Sequence, residues 1–537
     1  MTDIADRPEA DLGRREGRQP VDRLVFGVAA ALSIGFVLAG VIWPTQMDER
    51  TGSVLTWITD NFGWLFILTS AGFVVFSAYL ALSRYGNIKL GDDSSEPEFS
   101  TATWVSMMFA TGMGIGLMFW GVAEPLTHLN APPLGAAEAG SPEAAAQAMQ
   151  WAFFHWGLHP WAMYAVIGLT IGYFAYRKGY GNLISATFRP LLGDRAAGGP
   201  GKAIDVVAIF ATLFGSATSL GLGALQITGG LDNVFDGGAG SKTLAVGVIA
   251  VLTACFVVSA VSGIDKGIKY LSNANAIAAA LLALFLFVVG PTVFILSTFT
   301  EGMGDYLTHL PAMSFTTGVF ESEASSWLNG WTIFYWAWWI SWTPFVGMFI
   351  ARISKGRTIR QFVVYVILVP SLVSFVWFSI LGGSAIDLQL MKGWSPPMVD
   401  GSIASEAALF DTLREFPLAT ITVALAVFLI AIFFITGADS ASIVMGMLSQ
   451  HGDEEPRRPL VIFWGVATGA VAAVLLWSGG LQALQTLVIL VAAPFMLILI
   501  GMCVSLMKAL RQEPFESSME TRSRRAWQHA ERYPDGP

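Results

Sequence analysis

The chain has 537 residues, 54% of them hydrophobic and only 13% charged, with a mean hydropathy of +0.59. A soluble domain carries about 25% charged residues, so a soluble globular protein is excluded and an integral membrane protein is predicted. The net charge of -9 is spread over loops and tails and offers no basic footing for a nucleic acid.

Apolar segments long enough to cross a bilayer recur about twelve times. In chain order the predicted spans are 24–43, 62–82, 101–123, 143–176, 203–236, 243–263, 268–300, 326–351, 361–383, 417–448, 459–477 and 481–507. Residues 1–22 read as a polar tail, residues 23–100 as two peripheral helices without buried charge, and residues 509–537 as a second tail. The polar, charged N-terminus gives no sign of a cleavable signal peptide. An even number of spans puts both termini on one face. On these spans all but four of the 30 Lys and Arg residues lie on that face, the exceptions being Arg50, Lys242, Lys392 and Arg414. Positive loops stay inside, so both termini are expected in the cytoplasm, with the chain in the inner (plasma) membrane. Arg522, Arg524, Arg525 and Arg532 in the second tail could touch anionic lipid or a neighbouring subunit. Cys255 and Cys503 fall in spans and read as small apolar residues.

The third span holds Gly112, Gly114 and Gly116. Glycines at alternate positions weaken a helix, and open backbone survives at membrane depth only where it is buried in protein or lines a cavity. A broken helix with a binding site near the midplane is therefore predicted. The alternative is close helix packing on small residues. The span ends at Glu124-Pro125, read as the external helix end. The fourth span contains His155-Trp156-Gly157-Leu158-His159-Pro160-Trp161-Ala162-Met163-Tyr164. His155 and His159 are spaced i,i+4 but lack further ligands nearby in sequence, so they read as packing or hydrogen-bonding residues. The fifth span carries a second stretch rich in Gly and hydroxyls, residues 215–223. The seventh is followed by an external connection at 301–325 and the ninth by an external loop at about 384–416.

The eighth span carries Trp331, Phe334, Tyr335, Trp336, Trp338, Trp339 and Trp342, followed by Pro344 and Gly347. Trp331 to Trp342 covers about 16 Å of helix, too much for one interfacial belt of Trp. Trp338 and Trp342, and Trp339 and Trp342, share a face, as do Trp161 and Tyr164. Two helices presenting such rings can build an aromatic box for a quaternary ammonium group. Such a box needs no carboxylate opposite a cation that has no proton to give. In the tenth span Thr436 and Asp439 precede Ser440 and Ser442. Hydroxyls and freed carbonyls suit a small hard cation, and Asp439 inside a span is a gate candidate. The bland reading is bonding to their own helix. With two spans set aside, ten split into five and five, residues 101–325 and 326–508. The leading span of each half is interrupted by Gly or Pro, the mark of an inverted repeat.

Taken together, these residues resemble the betaine/choline/carnitine transporter family. The resemblance rests on Ala110-Thr111-Gly112-Met113-Gly114-Ile115-Gly116-Leu117-Met118-Phe119-Trp120-Gly121, on the segment from His159 to Tyr164, and on Phe334-Tyr335-Trp336-Ala337-Trp338-Trp339-Ile340-Ser341-Trp342. It implies an all-α membrane protein of twelve helices whose last ten form a LeuT-like five-plus-five inverted repeat, alternating access, and a homotrimer. It places the aromatic box on Trp156, Trp161, Tyr164 and Trp339, beside Gly114, Ile115 and Gly116. Trp338 and Trp342 are placed toward the cytoplasmic path, with Trp336 nearby. A sodium site falls on the carbonyls of Ala110 and Met113, opposite Phe433, Thr436 and Gly437. The sodium-coupled pattern has Ser where this chain has Gly437. Choline-transporting members tend to carry Asp at the position of Gly116, so Gly116 is expected to leave room for a substrate carboxylate and to favour zwitterionic betaine.

The function this implies is import of glycine betaine or a related compatible solute by Na+ symport, with no organic cofactor. The competing readings are a proton-coupled or exchange-type carrier for choline, carnitine or ectoine, and an osmosensing channel. With no nucleophile–base pair or metal cluster in the sequence, an enzyme is not expected.

Overall fold

The structure, a computed structural model, describes residues 19–112, 114–235, 242–262 and 265–514. The tail arginines named above lie outside them, as does Met113. Helices α1 (Arg23–Ile42) and α2 (Pro44–Leu82) open the chain. Asp22 caps α1 by accepting from the Leu24 and Val25 amides. α2 is longer than predicted because Pro44, at its first turn, starts the helix well before the apolar run.

The third span is broken, as the glycines suggest. α3 (Thr101–Gly112) stops and α4 (Ile115–Asn130) starts after an extended Gly114 with φ -162° and ψ -173°. Glu124 and Pro125 do not end a helix. α4 runs past them to Asn130, and Gly382 closes directly on Pro125 and on the Gly121 carbonyl, which Pro125 leaves without its helical donor.

The fourth span is a second broken helix, α5 (Pro142–Trp156) and α6 (Leu158–Gly172), parted at Gly157. His155 and His159 therefore do not share one continuous helix face. The backbone groups freed there are recovered locally, as burial demands. The Leu158 amide donates to the Tyr306 hydroxyl at 3.3 Å, and the His155 carbonyl accepts from the Trp339 indole at 3.0 Å. Pro160 sits in the first turn of α6, where its missing N–H costs nothing.

A short α7 (Arg189–Leu192) precedes α8 (Gly199–Phe235), α9 (Lys242–Ser262) and α10 (Asp265–Val289). The predicted span 268–300 does not run straight through. At Gly290-Pro291 the chain bends by 109° into α11 (Thr292–Phe315), because a residue before Pro is pushed out of helical geometry. After α12 (Ser322–Leu328), α13 (Phe334–Ile353) passes unbroken through Pro344 and Gly347. The Ile340 carbonyl that Pro344 deprives is taken by the Thr343 hydroxyl at 2.6 Å. The expected interruption matching the third span is thus absent. α14 (Ile359–Lys392) begins with a capping box on Thr358 and Gln361. A two-residue hairpin, β1 (Met398–Val399) with β2 (Ser402–Ile403), leads to α15 (Ser405–Arg414), α16 (Ala419–Ser449) and α17 (Arg458–Leu510). α17 holds the last two predicted spans, separated at Gly480, whose φ of 65° only glycine adopts readily.

Among the described residues, seven helices are long and apolar enough to cross a membrane, or eight with the bent pair α10–α11. The broken third and fourth spans and α13 are not among these helices, and α17 counts once for two predicted spans, which together account for the difference from twelve. α8 is central: 83% of its apolar window is buried, against 17% for α9 and 28% for α1. α13 packs between α6, α8 and α17. The rim helices turn Leu32, Val41, Val251 and Ile277 outward, as lipid-facing surfaces do.

Candidate functional site

The site forms where the α5–α6 break meets α13. Trp156 ends α5, while Trp161 and Tyr164 lie one and two turns into α6. Trp339 reaches them from α13 and ties itself to the break through the His155 carbonyl. Trp156 and Trp339 meet edge to face at 4.8 Å, Trp161 and Tyr164 at 5.4 Å, and Tyr164 and Trp339 at 6.4 Å. All four are buried, at 4–6% exposure. With Pro160, Trp342 and Ser374 they line a cavity of about 40 Å³. Ring faces and edges surround it with no charged group in the wall.

Trp342 also lines a second cavity of about 180 Å³, bounded by Gly114 and Ile115 at the third-span break and by Phe433, Thr436 and Gly437 of α16. Of the residues expected to hold a small cation, Phe433, Thr436 and Gly437 thus line this cavity. A Cβ on Gly437 would meet nothing within 4 Å. The Thr436 hydroxyl donates to its own helix at Ile432 (2.9 Å) and Phe433 (3.4 Å), leaving its lone pairs as acceptors. Ala110 lies in α3 close to the break, and Met113 lies outside the described residues. Phe345, Phe349 and Ser440 continue from this cavity into a third one, which ends at Asn182, Arg352 and Glu454. Asp439 is half-buried on α16 beside Ser440.

Trp338 and Trp336 do not line the box. Trp338 stacks behind Trp339 at 4.9 Å and 14°, and its indole donates to the Ser219 hydroxyl at 3.2 Å. Trp336 lies parallel to His159 at 5.0 Å and 16°. The Gly-rich stretch of α8 serves these rings: the Gly215 carbonyl accepts from Trp342 at 2.9 Å, and a Cβ on Gly215 would strike that ring at 2.9 Å. Gly116 is not open space. A Cβ there would come within 2.8 Å of Trp338 and 3.0 Å of Trp156, so two indoles fill the room expected for a substrate carboxylate.

Above the box, rings repeat every four residues: Trp339 on Tyr335 at 5.8 Å, Tyr335 on Trp331 at 6.2 Å, and Trp331 on Trp327 at 6.4 Å. This ladder encloses a buried polar cluster that is not apparent from sequence spacing. Glu124 is fully buried. Its Oε2 accepts from the Trp156 indole at 2.8 Å and the Tyr335 hydroxyl at 2.6 Å. Its Oε1 lies 2.7 Å from His155 Nδ1 and 3.4 Å from His128 Nε2. His155 Nε2 in turn meets Thr332 Oγ1 at 3.0 Å. The available signal was an acidic residue directly following an apolar run, which the adjoining Pro125 made look like a helix end.

A helical membrane protein with an enclosed aromatic site where a broken helix meets α13, a second broken helix bounding the adjoining cavity, and cavities leading from the site to one end, has the build of a transporter. Comparison with known proteins gives the family. A model described as BCCT, betaine/carnitine/choline family transporter, matches residues 24–515. The chain belongs to that family and is a multi-pass membrane transporter, not an enzyme. It is 47% identical over 490 residues to the glycine betaine transporter OpuD of Bacillus subtilis (strain 168), covering 91% of this chain and 94% of that protein. It is 41% identical over 510 residues to the betaine/ectoine transporter LcoP of Corynebacterium glutamicum, covering 94% of this chain and 80% of that one. It is also 41% identical over 487 residues to an ectoine/hydroxyectoine transporter of Virgibacillus pantothenticus, covering 90% and 96%.

Proposed function

We propose that the protein imports glycine betaine or a closely related compatible solute, holding its trimethylammonium group between Trp156, Trp161, Tyr164 and Trp339. The observation that carries this reading is the convergence of four buried rings on one small cavity without a charged wall. Aromatic faces attract a permanent cation by about 0.5–2 kcal/mol per contact once water is excluded. The names of the relatives point to the same substrate class.

Na+ is the proposed co-substrate, held between the third-span break and α16. The 180 Å³ cavity shared by Gly114, Phe433, Thr436 and Gly437 supports this placement. The fold reading behind it is a twelve-helix protein with a five-plus-five inverted repeat, assembled as a homotrimer with cytoplasmic termini in the plasma membrane. The three linked cavities lead toward Arg352, on the basic and therefore cytoplasmic face. The aromatic ladder fills the opposite side. That asymmetry favours a carrier caught facing inward over a channel, and transport then requires the ladder and α13 to part from α4–α6 in the outward-facing state. The test is uptake of labelled betaine into proteoliposomes. A sodium gradient accelerates it and Trp339→Ala or Trp161→Ala weakens substrate binding; sodium-independent uptake removes the coupling, and unchanged binding removes the box.

A further inference from the structure

Glu124 has no part in a box whose wall carries no charge, yet it is the most completely enclosed acid near it. Its two oxygens collect donors rather than cations. Trp156 and Tyr335 both converge on Oε2 at 2.8 and 2.6 Å, the short geometry of hydrogen bonds to an ionised carboxylate. His155 Nδ1 is positioned to donate to Oε1 at 2.7 Å while its Nε2 accepts from Thr332. The groups that face Glu124 from α4, α5 and α13 are thus His128, His155, Trp156 and Tyr335, and the basic side chains nearest its oxygens are histidines at 2.7 and 3.4 Å. No Lys or Arg pairs with it among the described residues. A fully buried carboxylate with no permanent countercharge is costly and leaves negative potential in its surroundings.

That potential has one direct outlet. An indole N–H that donates to an anion makes its ring face more negative, and the Trp156 ring is one wall of the box. In a site of low dielectric the effect is much larger than in water. We infer that Glu124 is a specificity-determining residue of this transporter: through the Trp156 indole it sets the preference of the aromatic site for a permanent cation over a neutral group of the same shape. The inference rests on the box being the solute site.

The test uses purified full-length protein and two ligands of one shape, glycine betaine and its carbon isostere with a tert-butyl group in place of trimethylammonium. Binding is read by tryptophan fluorescence or calorimetry as the ratio of the two affinities. Glu124→Gln keeps an acceptor for Trp156 and Tyr335, and a tautomer change at His155 accommodates the new amide. The wild type prefers betaine, Glu124→Gln cuts that ratio by about tenfold, and Glu124→Asp, with the charge restored, retains it. A merely structural role would weaken both ligands together, so an unchanged ratio in Glu124→Gln overturns the inference. A wild type without preference overturns the box itself, and the inference falls with it. Should Glu124→Gln fail to fold, Trp156→Phe and Trp339→Phe decide the matter. Each removes one indole hydrogen bond of the box, but only Trp156 donates to the carboxylate; Trp339 donates to a backbone carbonyl. Trp156→Phe then loses more of the ratio, and equal losses overturn the inference.

Discussion

Adding one methyl group at Gly116 tests how tightly the box is held. The new Cβ would lie 2.8 Å from the tip of Trp338 and 3.0 Å from the tip of Trp156, inside ordinary contact distance. Neither ring has an easy retreat. Trp338 is stacked between Phe334 and Trp339 and anchored on Ser219. Trp156 is anchored on Glu124 and packed on Trp339 and Phe378. Overpacking a closed site costs about 1–3 kcal/mol. With about 1.4 kcal/mol per tenfold, betaine affinity in Gly116→Ala should fall by about 5- to 150-fold to the extent that Trp156 takes up the displacement. The assay is a betaine titration in detergent, run beside thermal melts. If affinity and melting temperature both match the wild type, the rings have slack and this reasoning is wrong. The same geometry predicts that Gly116→Asp alone does not create a choline carrier in this chain. The larger side chain meets the same two indoles, so the variant should lose betaine without gaining choline.

Trp336→Phe should lower the melting temperature while betaine affinity stays within about twofold, because Trp336 is 1% exposed and stacked on His159 away from the cavity; a large affinity loss would place it in the site after all. Gly437→Ser should lower the sodium concentration for half-maximal uptake, since its Cβ points into open space in the cavity wall; an unchanged sodium response would move the ion elsewhere. Near the end of the described chain, burial pushes the Glu513 carboxyl up, but hydrogen bonds from Arg177, Lys178 and Tyr173 outweigh it and hold it at about 2, against an ordinary 4.5. A lowered value in the folded state gives a contribution that is complete above about pH 4.5 and fades as pH falls toward 2. Glu513→Gln should therefore lower the melting temperature at neutral pH and by progressively less below pH 4.5; a gap that does not narrow with acid refutes the ion-pair account.

The third-span break was legible because three alternating glycines leave few helical alternatives. The break at Gly157 was not, since a lone glycine is tolerated inside many helices. It becomes visible only when the Tyr306 hydroxyl and the Trp339 indole are seen holding its freed backbone groups. Gly290-Pro291 was hidden by apolar residues that continue across it, although the dipeptide itself is a breaker signal. At Pro344 the error ran the other way: Thr343 repairs the helix from one residue upstream, a compensation that a rule about proline alone does not contain. The tryptophan cluster was read as too long for one belt, and Trp336, Trp338 and Trp339 are buried in protein, but spacing on one helix cannot say which rings meet a partner helix. All four do, but only Trp339 and Trp342 line the box; Trp336 packs on His159 of α6 and Trp338 on Ser219 of α8.

Trp342 is the ring that both cavities share. It is half-buried, packed edge-on against Trp338 and Phe345, and held by one hydrogen bond to the Gly215 carbonyl. Trp338 and Trp339, by contrast, are stacked face to face and almost fully enclosed. The box wall toward Glu124 is therefore rigid, and the wall toward the larger cavity is the one that yields. On the proposed reading, a solute leaving the box would meet least resistance past Trp342, into a space it shares with the proposed ion at α16. Release of the two would then be coupled by their common exit, without any direct contact between them.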